Sequence, residues 1–277
     1  MTEFIADFWH FEFIRHALFT GLLASIACGI IGTYVVVKRI VFLSGGISHT
    51  AYGGIGMGYY FGFNPIIGAT IFSLFSALGI AWVRHRAGRR EDTLIGIMWA
   101  MGMAIGIFFI DKTPGYAPNL MSYLFGNILT VPTSDLILIG ILDLVILLIT
   151  VLLFKEFKAL TFDEEYALIS GVPVIVLNIL LFCLIAFTVV VLIRAVGVIL
   201  VIALLTIPAA IMVQFHLNLE RTMIFSIILS AFFTTAGLLI SAAYNVTSGA
   251  TIIAVACAGY ALSLLFNTLK TKLRRSN

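Results

Sequence analysis

A chain of 277 residues in which 61% are hydrophobic and only 10% are charged cannot bury its apolar side chains in one soluble core. This composition excludes a soluble globular domain and indicates an all-α, polytopic membrane protein. The formal net charge of +3 does not indicate nucleic-acid binding, because membrane topology explains the positions of the basic residues.

The apolar runs predict about nine transmembrane helices, with eight or ten as the tolerance, because a bilayer core of about 30 Å needs about 20 helical residues. The first run starts near Phe11 and is too long for a cleavable signal peptide, so we expect it to be a retained span. The helix count is least determined at two short breaks, around 113–132 and around 194. The predicted spans are 11–37, 41–61, 64–84, 93–110, 133–154, 173–193, 196–214, 222–243 and 249–268.

The basic residues of the predicted loops are unevenly distributed between the two sides of the membrane. With the N-terminus outside, 13 of the 16 Lys and Arg residues share a side with the C-terminus, and only Arg15, Lys112 and Arg194 lie on the other. Because cytoplasmic loops carry the excess of Lys and Arg, we expect the N-terminus outside and the C-terminus in the cytoplasm.

The second predicted span, 41–61, contains His49 near its middle and no Asp, Glu, Lys or Arg. A polar side chain at this depth usually serves a pathway or a partner. The span is rich in glycine, which lets helices approach closely, so we expect it to be buried among other helices. Gly45 and Gly53 share the stripe of His49, and space beside the ring could admit an ion, since neutral imidazole is a common transition-metal ligand. The alternative is a histidine that bonds a carbonyl of a neighbouring helix.

Two other features lie inside predicted spans. Asp143 is near the centre of 133–154, and because a carboxylate facing lipid is costly, we expect it either to face the protein interior or to be protonated. It could also line a translocation path. Met98, Met101 and Met103 share one span and offer soft thioether sulfurs, but we expect them to pack in the core.

Residues 155–172, the charged connector, link two spans and are too charged to cross a bilayer. Three apolar residues recur there at helical spacing: Phe162, Tyr166 and Ile169. Three acidic residues favour the positive end of a helix dipole and indicate a helix start: Asp163, Glu164 and Glu165. Gly171, followed by Pro173, indicates the helix end. We therefore predict a short surface helix, which either docks a soluble partner or serves as an ordinary amphipathic connector.

Seven segments, in order along nearly the whole chain from about Phe13 to Leu265, resemble the permease subunits of ABC-type metal-ion importers, which take up zinc, manganese or iron. These segments are GIIGTYVVVKR (29–39), SGGISHTAYGG (44–54), DTLIGIMWAMGMAIG (92–106), SYLFGNIL (122–129), FDEEYALISGV (162–172), VGVILVIALLTIPAA (196–210) and NVTSGATIIAVA (245–256).

The resemblance implies a type II-like importer in the prokaryotic plasma (inner) membrane, with residues 1–277 as one permease domain that works as a homodimer. It implies an ATP-binding subunit under each copy and an extracytoplasmic protein that delivers a divalent metal ion as cargo. In such permeases the histidine of the second span contacts the metal, which here is His49. The helix at about 160–172 is then the coupling helix that fits the ATPase, with these coupling residues: Asp163, Glu164, Glu165 and Gly171.

Three positions depart from the family pattern. The family commonly has an aspartate one helical turn before the histidine, where this chain has Gly45. A missing charge would then come from the second His49 across the dimer, from Asp143, from water, or from nothing. The family also often has an aspartate and a proline just before the last span, where this chain has Asn245 and Thr247.

The chain has no phosphate-binding GxxxxGK[ST] motif, so we expect a transport subunit that neither hydrolyses ATP nor binds a cofactor, while its partner uses the ATP. HExxH and GxSxG are absent as well. A competing hypothesis is an ion-coupled secondary transporter in which Asp143 and His49 carry protons. A third is an intramembrane enzyme that uses the same two residues as a hydrolytic pair.

Overall fold

A computed structural model describes residues 11–87, 91–114 and 121–276. Within these ranges the chain forms twelve α-helices and a 3-10 helix at Ile128–Thr130, without any strand, which confirms the prediction of an all-α fold. The α-helices are α1 (Glu12–Val37), α2 (Val41–Phe61), α3 (Pro65–Ala87), α4 (Glu91–Asp111), α5 (Met121–Phe125), α6 (Thr133–Leu152), α7 (Phe154–Phe162), α8 (Glu164–Ile169), α9 (Val174–Val196), α10 (Val198–Val213), α11 (Leu219–Tyr244) and α12 (Ser248–Ser276).

Seven of the described helices are long and apolar enough to cross a membrane, namely α1, α3, α4, α6, α9, α11 and α12. The chain is therefore a multi-pass membrane protein. α2 coincides with the predicted second span but is not among the seven, and α10 has only 16 residues, fewer than the roughly 20 that a span needs. That nine helices cross the membrane stays a prediction.

The helices pack as two groups that α9 connects. α2 packs against α3 and α4, whereas α1 packs against α6, α10 and α11. α9 contacts members of both groups, and α12 covers α10 and α11. Many large apolar side chains on the outer helices, among them Phe75 and Leu144, remain exposed, as expected of faces that meet lipid.

Glycines bring α2 against both of its neighbours. Gly54 lies against Gly68 of α3, and Gly56 lies against Gly106 of α4, so closely that a Cβ atom at any of these positions would overlap backbone atoms. Most residues of α2 are buried, which confirms that this helix lies among others.

The two breaks at which the helix count was least determined lie against each other. Gly126 follows α5, Gly197 separates α9 from α10, and both have a positive φ, +66° and +81°. A Cβ atom at either glycine would overlap the backbone at the other. Only glycine combines this close approach with a left-handed conformation at no steric cost.

The charged connector contains α8 and most of α7, so the single helix predicted over about 160–172 is wrong, whereas its predicted start at Asp163 is confirmed as the start of α8. Asp163 has an extended backbone (φ −152°, ψ 102°) and interrupts the helix. Its Oδ1 accepts the backbone N–H groups of Glu165 at 3.0 Å and Tyr166 at 2.9 Å, which starts α8 in the manner of an N-cap. α8 ends before Gly171, whose φ is +79°.

Candidate functional site

His49 lies on the face of α2 that packs against α4. Its ring stacks on the indole of Trp99, with centroids 4.1 Å apart and an interplanar angle of 12°. Its Nδ1 lies 3.4 Å from the Sδ atom of Met103. Trp99 and Met103 are four residues apart and therefore share one face of α4. The imidazole is only half-buried, so part of the ring remains open.

Next to the His49 ring, α2 and α4 are held together by a hydroxyl group and by a close backbone contact. The Thr50 hydroxyl donates to the carbonyl of Gly46 at 2.7 Å and lies 3.3 Å from the carbonyl oxygen of Met98 on α4. Gly102 of α4 approaches the backbone of Thr50 so closely that a Cβ atom there would lie 2.5 Å from its Cα. This packing holds the side chains of α4 in register with His49.

Contrary to our expectation, the two glycines on the stripe of His49 do not leave open space beside the ring. A Cβ atom at Gly45 would lie 3.1 Å from the ring of Trp99, and one at Gly53 would lie 2.9 Å from the ring of Phe72. Two aromatic side chains therefore fill the space that the glycines provide. Only the half-exposed part of the imidazole is left for a solute to contact.

The nitrogen and sulfur atoms at this site are donors suited to transition metals. Within the described residues, no group of three or more His, Cys, Asp or Glu side chains could hold a metal ion. A closed structural site needs about four ligands, so the arrangement suits a brief contact with a passing ion better than a resident metal.

Met103 was assigned to core packing from the sequence, and nothing in its spacing distinguishes it from the other two methionines of α4. The structure does distinguish them. The sulfur of Met98 lies 3.7 Å from the hydroxyl of Ser76, and Met101 is 51% exposed, so its expected core position is wrong. The neighbour of His49 is visible only once α4 is placed against α2.

Asp143 faces the protein interior, as expected, and is only 6% exposed. Its neighbours Ala27 and Cys28 belong to α1. α6, which carries Asp143, packs mainly against α1 and α9, whereas the ring of His49 contacts α4. The structure therefore does not bring these two residues together as one site.

Glu164 joins the charged connector to the ends of two long helices. Its Oε1 accepts hydrogen bonds from Nζ of Lys38 at 2.7 Å and from Nη2 of Arg84 at 3.0 Å. Lys38 Nζ also donates to the carbonyl of Leu160 at 2.9 Å, and the Lys38 side chain is only 2% exposed. Desolvation alone would raise the pKa of Glu164, but Lys38 and Arg84 outweigh it and hold that pKa below its ordinary value.

The opposite side of the charged connector is apolar and uncovered. Four residues form this surface, the outer apolar face, with exposures of 62–85%: Phe162, Tyr166, Leu168 and Ile169. Asp163 and Glu165 are exposed beside it, and Gly171 ends it. Thus Glu164 points into the protein, whereas its neighbours along the chain point away.

Asn245 occupies a position at which the backbone itself favours asparagine. It ends α11 in a left-handed conformation with φ +52°, and its backbone N–H bonds the carbonyl of Ser241. Asparagine tolerates this conformation better than most residues. Asn245 lines an apolar cleft of about 510 Å³ together with Phe11 and Phe13.

A model of the ABC 3 transport family matches residues 10–267 of the chain. A probable metal transport system membrane protein of Chlamydia pneumoniae is 38% identical over 270 residues, with 95% of this chain and 92% of that protein covered. The manganese transport system membrane protein MntC of Halalkalibacterium halodurans is 31% identical, with 99% of this chain and 94% of that protein covered. Among solved structures, a chain of PsaBC from Streptococcus pneumoniae in complex with Fab superposes with a TM-score of 0.87 at 29% identity, covering 100% of this chain and 99% of that one.

Proposed function

The chain belongs to the ABC 3 transport family, whose members are membrane permeases of metal transporters, and on that premise we propose that it is the permease subunit of an ATP-driven importer of divalent metal ions. The observation that carries this proposal is the family match over residues 10–267, which leaves almost none of the transmembrane region unaccounted for. A second copy of the chain, a separate ATP-binding subunit and an extracytoplasmic metal-binding protein complete the transporter.

His49 contacts the metal ion on its way through the membrane. Its imidazole is half-buried on a helix that carries no Asp, Glu, Lys or Arg, which is the expected location of a pathway residue. Stacking on Trp99 fixes the plane of the ring. The sulfur of Met103, 3.4 Å from Nδ1, offers the ion a second, softer donor.

The carboxylate that is absent at Gly45 is not replaced by Asp143, because Asp143 lies against α1 on another helix. The remaining donors are Met103, water and the His49 of the second copy. A site of nitrogen and sulfur donors favours borderline and soft ions such as zinc and iron(II) over the harder manganese ion.

The charged connector docks on the ATP-binding subunit with its outer apolar face. Uncovered apolar side chains of this size are rare on a surface that meets only water, and here they are flanked by the charged groups of Asp163 and Glu165. Gly171 ends the docking helix. Glu164 belongs to the same segment but contacts the permease itself.

The end of the bundle that bears the charged connector faces the cytoplasm. Lys38, Arg84 and the connector's own Lys155 and Lys158 lie at this end, and positive charge accumulates on the cytoplasmic side. The N-terminus of α1 then lies outside and the C-terminus lies inside. The secondary-transporter alternative is not favoured, because it needs His49 and Asp143 to act together.

The proposal is tested by uptake in vesicles that contain the permease, the ATP-binding subunit and the metal-binding protein, with zinc, manganese and iron(II) offered separately. Loss of even an outer partner of a metal ligand typically costs 10- to 100-fold, so we expect His49→Asn to lower uptake by about tenfold or more.

His216→Asn is the matched control. His216 is exposed in the turn after α10 with φ +52°, a conformation that asparagine tolerates. Its uptake should equal that of the wild type. ATP-dependent uptake of none of the three metals by the wild-type complex would refute the proposed function, and unchanged uptake by His49→Asn would refute the role of His49.

A further inference from the structure

The contact of Glu164 with Lys38 and Arg84 differs from an ordinary surface ion pair. The Lys38 side chain is 2% exposed, and it donates to the carboxylate of Glu164 and to the carbonyl of Leu160, which belong to α8 and α7. Breaking a buried ion pair by removing one member is costly. The end of α1 is therefore tied firmly to the charged connector.

The two cations of this contact belong to the helices that precede and follow, along the chain, the helix that carries His49. Lys38 is the C-cap of α1, and α2 begins three residues later at Val41. Arg84 belongs to α3, which packs along α2 through Gly68 and Gly54. A displacement of Glu164 thus acts on the start of α2 through Lys38 and on its side through Arg84.

Glu164 has room to change its position. A cleft of about 160 Å³ lies beside its side chain and is lined also by Arg84, Ala81 and Asn178. The carboxylate is 37% exposed, whereas Lys38 is almost completely enclosed. The carboxylate can therefore redistribute its bonds between the two cations without opening the packed helices around them.

Tyr166, Leu168 and Ile169 of the outer apolar face share α8 with Glu164, and they are exposed whereas Glu164 bonds the transmembrane helices. Movement imposed on the outer apolar face reaches the transmembrane helices through the packing of α7 and α8 on them and through Glu164, the residue of α8 that forms ion pairs with Lys38 and Arg84. A salt bridge with two alternative partners is suited to this task, because it holds the elements together while their separation changes.

We propose that Glu164 is a positioning residue that transmits movement of the charged connector, through Lys38 and Arg84, to the helices around His49, and that it takes no part in binding the ATP-binding subunit. This inference rests on the proposed function and deepens it. It separates two tasks within the charged connector. The outer apolar face binds the ATP-binding subunit, and Glu164 transmits the resulting movement to the transmembrane helices.

The test uses the complete transporter in vesicles and measures three quantities for Glu164→Gln: copurification of the ATP-binding subunit, ATP hydrolysis, and metal ions taken up per ATP hydrolysed. We expect copurification and hydrolysis to persist while the number of ions taken up per ATP falls by about tenfold. A tenfold change is of the size by which one site of a protein typically affects another. Glu156→Gln is the matched control, because Glu156 lies in α7 and forms no ion pair within the described part of the chain.

Two results would overturn the inference. An unchanged number of ions per ATP would show that Glu164 transmits nothing, and loss of the ATP-binding subunit from a folded permease would place Glu164 in the docking surface. If Glu164→Gln does not fold, Arg84→Gln replaces it, since this change retains the pair of Lys38 and Glu164. A reduced ratio in that variant supports the inference and an unchanged ratio refutes it. Failure of the wild type to transport any metal would instead refute the proposed function.

Discussion

The helix of His49 and the charged connector are held in place by opposite means. α2 approaches α3 and α4 through glycines that touch backbone, and it carries no Asp, Glu, Lys or Arg. The charged connector is held by a capping carboxylate and by ion pairs from Glu164. Backbone contacts between glycines allow only one register, whereas a carboxylate can exchange partners as its surroundings move. The fold thus places a rigid helix at the proposed metal contact and an adjustable contact at the proposed docking segment.

The largest effect is expected when a single methyl group is added to α2 at one of its close contacts. In Gly54→Ala the new Cβ would overlap the carbonyl of Gly68, so α2 and α3 must separate, and we expect a loss of about 3 kcal/mol or more of stability. Gly140→Ala on α6 is the matched control, because a Cβ there meets nothing within 4 Å, and its effect should stay within about 1 kcal/mol. Thermal unfolding in detergent measures both, and equal midpoints would contradict the account of α2.

The Gly45→Asp variant tests which metal ion the region around His49 prefers. The carboxylate would stand one turn before His49, and the ring of Trp99, 3.1 Å from the new Cβ, must shift by a few tenths of an ångström. An oxygen donor favours harder ions, so uptake in a competition series should move toward manganese by roughly tenfold. Gly45→Asn has the same shape without the charge and should not produce this shift. An unchanged series in Gly45→Asp would refute our view of the donor set.

The smallest effect is expected in the charged connector. Asp163→Ala removes the cap of α8, which typically costs about 1 kcal/mol, so the amide protons of Glu165 and Tyr166 should exchange about fivefold faster. Asp163→Asn retains a capping oxygen and should exchange like the wild type. Hydrogen exchange followed by mass spectrometry measures the difference, and equal rates in all three proteins would show that the cap does not hold α8.

The positions of the helices were predictable from the sequence because long apolar runs between charged loops leave few alternatives. The predicted span 41–61 coincides with α2, and 11–37 differs from α1 by one residue. The connector was predicted less well. The helical spacing of Phe162, Tyr166 and Ile169 suggested one helix, but the Asp163 side chain bonds the following amides and interrupts it. Periodicity alone does not show where a side chain competes with the backbone.

The surroundings of the candidate site were not predictable from the sequence, because they depend on the register between helices. Trp99 and Met103 lie at least 50 residues from His49 along the chain, and Lys38 lies 126 residues from Glu164. No local pattern distinguishes Met103 from Met98, or Glu164 from Glu165. Only the packing of α4 on α2, and the ion pairs of Glu164 with Lys38 and Arg84, give these residues different surroundings.

The mutual contact of Gly126 and Gly197 constrains how this protein can evolve. Each glycine occupies the space that a side chain on the other would need, and each has a backbone conformation that other residues adopt with strain. Because each overlap is with backbone atoms, which every residue has, a substitution at one position makes no room for a side chain at the other. Both sites should therefore remain glycine among natural variants of this chain, even though 71 positions separate them in the gene product.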